Sequence, residues 1–317
     1  QHVQLQPVLT SPLSICFRIA NTSFCVQPAH PSLRLALPEP WAPFVTAPVD
    51  APDACYTAEQ ASLPCDSSAS SIYWGNDLWR ISFPESGNTH LELANPNSGA
   101  WRTGAILSAD FSSGVLFSDD AAIPPFDPIP FPLEHPLIIG RLSFLEGMVL
   151  HASCVRLKGR SFLFVGQSGR GKTTMARLWR SHGGEILNDE RNIVRLMGED
   201  VIAASSPWHG EENEVRPGCA PLAAILFIRH AKENTLEPAP ASMAVARLLQ
   251  HAFIPVFLPQ GMDNLAAHAA RVIERTPVFD FGFTPNEEAI QAVLSACPEP
   301  CAAAPAAAGA APLSSGR

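Results

Sequence analysis

Between the apolar run Ser161-Phe-Leu-Phe-Val165 and the helix-forming run Met175-Ala-Arg-Leu-Trp179 the chain reads Gly166-Gln-Ser-Gly-Arg-Gly-Lys-Thr-Thr174. This stretch has the spacing G-x-x-x-x-G-K-[ST]. A strand that turns through Gly166, Gly169 and Gly171 into a helix leaves consecutive backbone N–H groups facing inward at the positive end of the helix dipole. Such a loop is built to hold a polyphosphate. Lys172 adds a point charge for the β and γ phosphates and Thr173 a hydroxyl for Mg²⁺, while Gln167, Ser168, Arg170 and Thr174 complete the binding loop. The competing reading is an ordinary glycine-rich strand-to-helix turn. The strand before, the helix after and the Lys-Thr pair all weigh against it.

At 317 residues and 46% hydrophobic content, the chain can fill the cores of two ordinary domains. Its 21 basic and 30 acidic residues leave a net charge of −9, and no Lys/Arg block is present. Nucleic acid is therefore not an expected partner. No apolar run reaches the length of a membrane span, and Gln1-His-Val-Gln-Leu-Gln6 lacks the pattern of a secretory signal. The expectation is a cytoplasmic protein without membrane attachment. The eight cysteines show neither a C-x-x-C pair nor zinc spacing, and are expected to be reduced, structural thiols.

Residues 27–66 are rich in proline and small polar residues, and predict irregular structure. From Ser71, short β-branched and aromatic segments at Ile72–Trp74, Leu78–Ile81, His90–Ala94, Trp101–Thr103 and Gly114–Phe117 predict a small antiparallel β-domain within residues 1–123. Pro124 to Pro132 reads as a linker. Leu133–Leu150 has helical spacing, and Val155–Val165 predicts two strands turning at Lys158-Gly159. Beyond the glycine loop come a helix over 173–181, a strand at Glu185–Leu187, a strand pair over 192–202, a buried strand at Leu222–Ile228 and helices over 242–252, 264–274 and 286–296. This order describes an α/β domain over 133–296 with a central sheet, followed by a disordered Ala/Pro/Gly-rich tail over 297–317.

Ile186-Leu187-Asn188-Asp189-Glu190 is an apolar strand ending in adjacent carboxylates, which places them at the edge of the sheet where α/β proteins bind ligands. Phosphoryl transfer needs one carboxylate to orient or deprotonate the attacking hydroxyl and another to hold Mg²⁺. Asp189 and Glu190 supply that pair, seventeen residues beyond Lys172. His151 heads a strand fifteen residues before Gly166 and is the third candidate.

The stretch from His151 to Glu190 resembles the catalytic core of the HPr kinase/phosphorylase family: a His-led strand pair, the loop G-x-x-G-x-G-K-[ST], a short helix and a strand ending in two acidic residues. The resemblance implies a P-loop fold related to phosphoenolpyruvate carboxykinase, and phosphoryl transfer to a serine hydroxyl. It implies that Asp189 is the general base, that Glu190 stands where the family has a second Asp, and that His151 stands at the family's active-site His. The chain departs from the family at Glu214-Val-Arg-Pro-Gly218, where the Glu-[Ile/Val]-Arg-Gly signature gains a proline. Ser206-Pro-Trp-His-Gly-Glu211 resembles relatives that phosphorylate lasso-peptide precursors.

The expected protein is thus a P-loop, HPr-kinase-like serine kinase using ATP and Mg²⁺, with a smaller N-terminal β-rich domain and a peptide or small-protein acceptor. Homo-oligomers are compatible with it. In that reading Lys172 and Asp189 are catalytic, with His151 beside them, and Thr173 and Glu190 share the metal. Arg170 and Arg216 are candidates to stabilise charge on the γ-phosphate. Two alternatives stay open: a P-loop kinase acting on a small metabolite, and a non-catalytic module that binds nucleotide to fix a conformation.

Overall fold

Short runs of β-branched and aromatic residues, interrupted by Asn, Gly and Pro, favour strands throughout the N-terminal half. The computed structural model describes residues 9–11, 14–64, 72–75, 79–83, 87–94, 101–118, 127–210 and 216–298. In it these runs form β1 (Leu9–Ser11), β2 (Ile15–Ile19), β3 (Thr22–Pro28), β4 (Leu35–Leu37), β5 (Val45–Thr46), β6 (Ala54–Glu59), β7 (Ile72–Gly75), β8 (Trp79–Ser82), β9 (Thr89–Ala94), β10 (Trp101–Leu107) and β11 (Ser113–Phe117). All but β1 and β4, which pair with each other, join one nine-stranded sheet ordered β5-β2-β3-β6-β11-β10-β9-β8-β7.

Three expectations need correction here. Residues 27–66 are not irregular throughout: their prolines sit in the connections and at strand ends, while β4, β5 and β6 form between them. The sheet is neither small nor wholly antiparallel, since β6 runs parallel to both β3 and β11. Cys16 and Cys25 are not free thiols but a disulfide. The reason is local. Ala20 and Asn21 both take the left-handed conformation (φ 50° and 57°) in a two-residue turn between β2 and β3, which sets Cys16 directly opposite Cys25. Cys55, Cys154, Cys219 and Cys297 remain free.

The second part comprises α1 (Glu134–Ser143), β12 (Gly147–Leu157), β13 (Arg160–Val165), α2 (Lys172–Ser181), β14 (Glu185–Asn188), β15 (Arg191–Met197), β16 (Asp200–Ala204), β17 (Cys219–His230), β18 (Thr235–Pro238), α3 (Ala241–Gln250), α4 (Pro259–Arg275), β19 (Val278–Phe283) and α5 (Glu287–Ala296). The expected helix over 133–150 stops at Ser143. Residues 147–150 are already strand, so His151 lies in the middle of β12 rather than at its start. Glu146, in the left-handed conformation (φ 54°), makes the break. The turn at Lys158-Gly159 forms as expected, with both residues at positive φ.

The chain is a mixed α/β protein with two large sheets. In the eight-stranded second sheet β13, β17 and β19 run parallel, and a pairing of β13 with β17 closes the antiparallel run β13-β12-β15-β16-β17 on itself. Both faces are covered. Leu163 and Val165 of β13 enter a core with Leu248 of α3 and Leu265, Ala269 and Val272 of α4, whereas Phe162 and Phe164 enter one with Trp179 of α2 and Ile290 of α5. That two-residue alternation, apolar on each side, is what a strand buried between helix layers requires.

A third core runs from the first sheet (Phe17, Phe24, Tyr56, Leu91) through Leu137 and Ile138 of α1 to Val149, Ile193 and Phe257 of the second part. Polar anchors reinforce it. Arg195 donates to Ala20 O (2.9 Å) and Thr22 Oγ1 (2.7 Å), and Arg141 to Asp53 O (3.0 Å) and Asp110 Oδ2 (3.0 Å). Trp79 belongs to this core, packing edge-on against Phe257. The side chains of Trp74 and Trp101, residues 124–126 of the linker and all but two residues of the tail 297–317 lie outside the described residues. Among the described residues, no helix is long and apolar enough to cross a membrane.

Candidate functional site

Strand β13 ends at Val165 and the chain turns through Gly166–Gly171 into α2, at the carboxyl edge of the parallel strands β13 and β17. Gly169 and Gly171 adopt φ of 77° and 94°, conformations that cost an L side chain about 1–2 kcal/mol. Gly171 is needed twice over. A Cβ there would lie 2.6 Å from Phe283 Cζ and 2.9 Å from His230 Cε1.

Lys172 opens α2 and is only 8% exposed. Its ammonium donates to Gly166 O (2.8 Å) and Gln167 O (3.2 Å). Among the described residues no carboxylate forms an ion pair with it. Burial holds its pKa below the ordinary lysine value, against the opposing attraction of Glu190. A buried cation held by carbonyl dipoles alone is a receptor for an anion.

The acidic pair is set by Asn188. This fully buried residue ends β14, and its Oδ1 accepts from the backbone N–H of Glu190 (2.8 Å) and Arg191 (2.9 Å). Its Nδ2 donates to Ser206 O (3.1 Å) and Trp208 O (2.8 Å), tying the turn to the segment after β16. Asp189 is buried and accepts from Gly210 N–H (3.1 Å). A Cβ on Gly210 would come within 3.0 Å of both Asp189 carboxylate oxygens, so glycine is what allows that backbone to approach.

His151 Nδ1 lies 3.5 Å from Glu190 Oε1. Its pKa is depressed chiefly by burial and then by the Lys172 charge, with Glu190 opposing both.

The structure brings most of the predicted residues to one cavity of roughly 260 Å³, lined by His151, Ser168, Gly169, Gly171, Lys172, Thr173, Thr174, Asp189, Glu190 and His230. Gly166, Gln167 and Arg170 instead line an adjoining recess on the other flank of the loop. Glu214 lies outside the described residues, and Arg216 is exposed and away from the cavity lining. Sequence reasoning missed His230, Phe283 and Gly210. No local pattern marks them, although the alternating apolar run Val278-Phe-Asp-Phe-Gly-Phe283 is a strand signal that would have found β19.

The residues present suit a nucleotide and its metal. The loop amides, Lys172 and the Thr173 hydroxyl face the same cavity as two adjacent carboxylates. Among the described residues no three His, Cys, Asp or Glu side chains gather into a metal site. A hard divalent ion here would thus draw part of its oxygen shell from phosphate and water.

No family model matches the chain, and no curated protein matches it. Among solved structures, the HPr(Ser) kinase/phosphatase from Coxiella burnetii is matched with 9% identity over 46% of this chain and 91% of that one, at a TM-score of 0.27. A likeness that slight establishes neither fold nor activity.

Proposed function

We propose that this chain is an ATP- and Mg²⁺-dependent kinase of P-loop type that transfers a phosphoryl group to a serine hydroxyl on a peptide or small protein. One observation carries the reading: the glycine loop, Lys172, Thr173, Asp189, Glu190 and His151 converge on a single cavity at the carboxyl edge of a parallel strand pair. In such a site the loop amides and Lys172 hold the terminal phosphates and neutralise charge that builds on them during transfer. Thr173 and Glu190 would hold Mg²⁺, which would supply Lewis-acid stabilisation of the phosphate charge.

Asp189 is fixed by Gly210 N–H and so presents a preset acceptor to the incoming hydroxyl, taking up its proton. His151, with Nδ1 3.5 Å from Glu190 Oε1, keeps that carboxylate oriented. The cavity is a small, polar space, suited to phosphates rather than to a bulky apolar metabolite.

The test separates binding from chemistry. Asp189→Asn is expected to keep Mg·ATP affinity while losing phosphate transfer, and Glu190→Gln to raise the Mg²⁺ concentration needed for either. The readouts are calorimetric ATP binding and phosphate incorporation into serine peptides by mass spectrometry. Undiminished transfer by Asp189→Asn would remove it as the base.

A further inference from the structure

The loop has a second flank. Gly166, Gln167 and Arg170 line a recess of roughly 270 Å³ together with Arg229, Arg247, Gln250 and His251. Both spaces are lined by residues of the same loop, and His151 of the phosphate cavity donates its backbone N–H to the O of His251 in the recess (2.7 Å).

Charge in the recess is unbalanced. Arg247 is committed: it pairs with Asp280, and its guanidinium lies 3.9 Å from the centre of the Phe227 ring. Arg170 and Arg229 are exposed, and among the described residues neither side chain forms an ion pair or a hydrogen bond. On a chain of net charge −9, two unpaired guanidinium groups converging on one concavity are a local positive field against the general one. His251 is oriented by its Nδ1 contact with Arg247 O (2.8 Å), which leaves Nε2 for another partner.

We infer that this recess binds a carboxylate of the acceptor, so that the preferred acceptor carries acidic residues near the serine it presents. The assignment to an acceptor rests on the kinase reading; the binding of a carboxylate does not. Guanidinium groups are suited to it because their planar fork meets both carboxylate oxygens at once.

The probe is a short fluorescein-labelled polyglutamate peptide, followed by fluorescence anisotropy with and without saturating Mg·ATP, with polyglutamine as control. Wild type is expected to bind polyglutamate alone, equally well when nucleotide is present. Arg229→Glu should weaken that binding about tenfold, because like charges are then juxtaposed, while Arg229→Lys stays within about threefold.

Serine peptides with glutamate flanks should be phosphorylated in preference to lysine-flanked ones, with the preference lost in Arg229→Glu. Equal polyglutamate binding by wild type and Arg229→Glu, or none by wild type, overturns the inference. So does loss of Mg·ATP affinity in Arg229→Glu, which would assign the recess to the nucleotide. Wild type that binds polyglutamate but not Mg·ATP would instead leave the recess standing and sink the kinase reading.

Discussion

Replacing Lys172 with methionine separates two effects that the folded structure sets against each other. The ammonium is buried and hydrogen-bonds to two carbonyl oxygens, at 2.8 and 3.2 Å. Its desolvation cost, visible as a depressed pKa, is offset by those two charge-assisted bonds. Methionine has nearly the same length, fills the same space and needs no partner. The nucleotide-free protein should therefore change stability by no more than about 1 kcal/mol in either direction.

Nucleotide binding should respond very differently. A charged hydrogen bond to phosphate contributes about 1.5–3 kcal/mol, and loss of the ammonium removes at least one, with further charge attraction. The expected loss is about 3 kcal/mol, or roughly a hundredfold in affinity. Calorimetric titration with Mg·ATP measures it, and thermal denaturation of the free protein supplies the control. Wild-type affinity in Lys172→Met would refute the assignment of the loop. A fall in stability of several kcal/mol would refute the view that its carbonyl bonds barely outweigh its burial.

Two further outcomes follow from the packing. Gly171→Ala should destabilise the protein by about 2–4 kcal/mol, combining the left-handed φ with overlap against the fully buried Phe283 ring, as read by denaturant melts; a loss under about 1 kcal/mol would contradict that geometry. His268, buried on α4, has its pKa lowered mainly by burial and further by Arg271, against Glu146. The unfolded chain then takes up this proton more readily than the folded one, so stability should rise with pH up to the ordinary histidine value of 6.5 and fall as pH drops below it. Melting temperatures of wild type and His268→Leu across that range should diverge in slope, and parallel curves would dispose of the attribution.

What the sequence by itself determined is what short-range chemistry controls. The segment from Ser161 to Trp179 runs strand, glycine turn and helix in unbroken order. The turn that presents Asp189 and Glu190 is set by the side chain of the residue just before them. Helices α3, α4 and α5 announce themselves by apolar spacing, and β12 and β13 by the turn at Lys158-Gly159. The Cys16–Cys25 disulfide, by contrast, ran against the expectation of reduced thiols and came to light only with the two-residue turn and register of β2 and β3.

Tertiary structure decided the rest, because it depends on which strands become neighbours. His230 reaches the cavity only since β17 runs parallel beside β13, and Phe283 crowds Gly171 only since β19 lies next to β17. Arg229 and Arg247 are eighteen residues apart in the chain and line one recess with Arg170. Helical spacing near residue 145 lost to strand pairing, because Gly147–His151 gains a full ladder with β15 and places Val149 in the shared core. Such choices are made by long-range burial, which no local window of residues records.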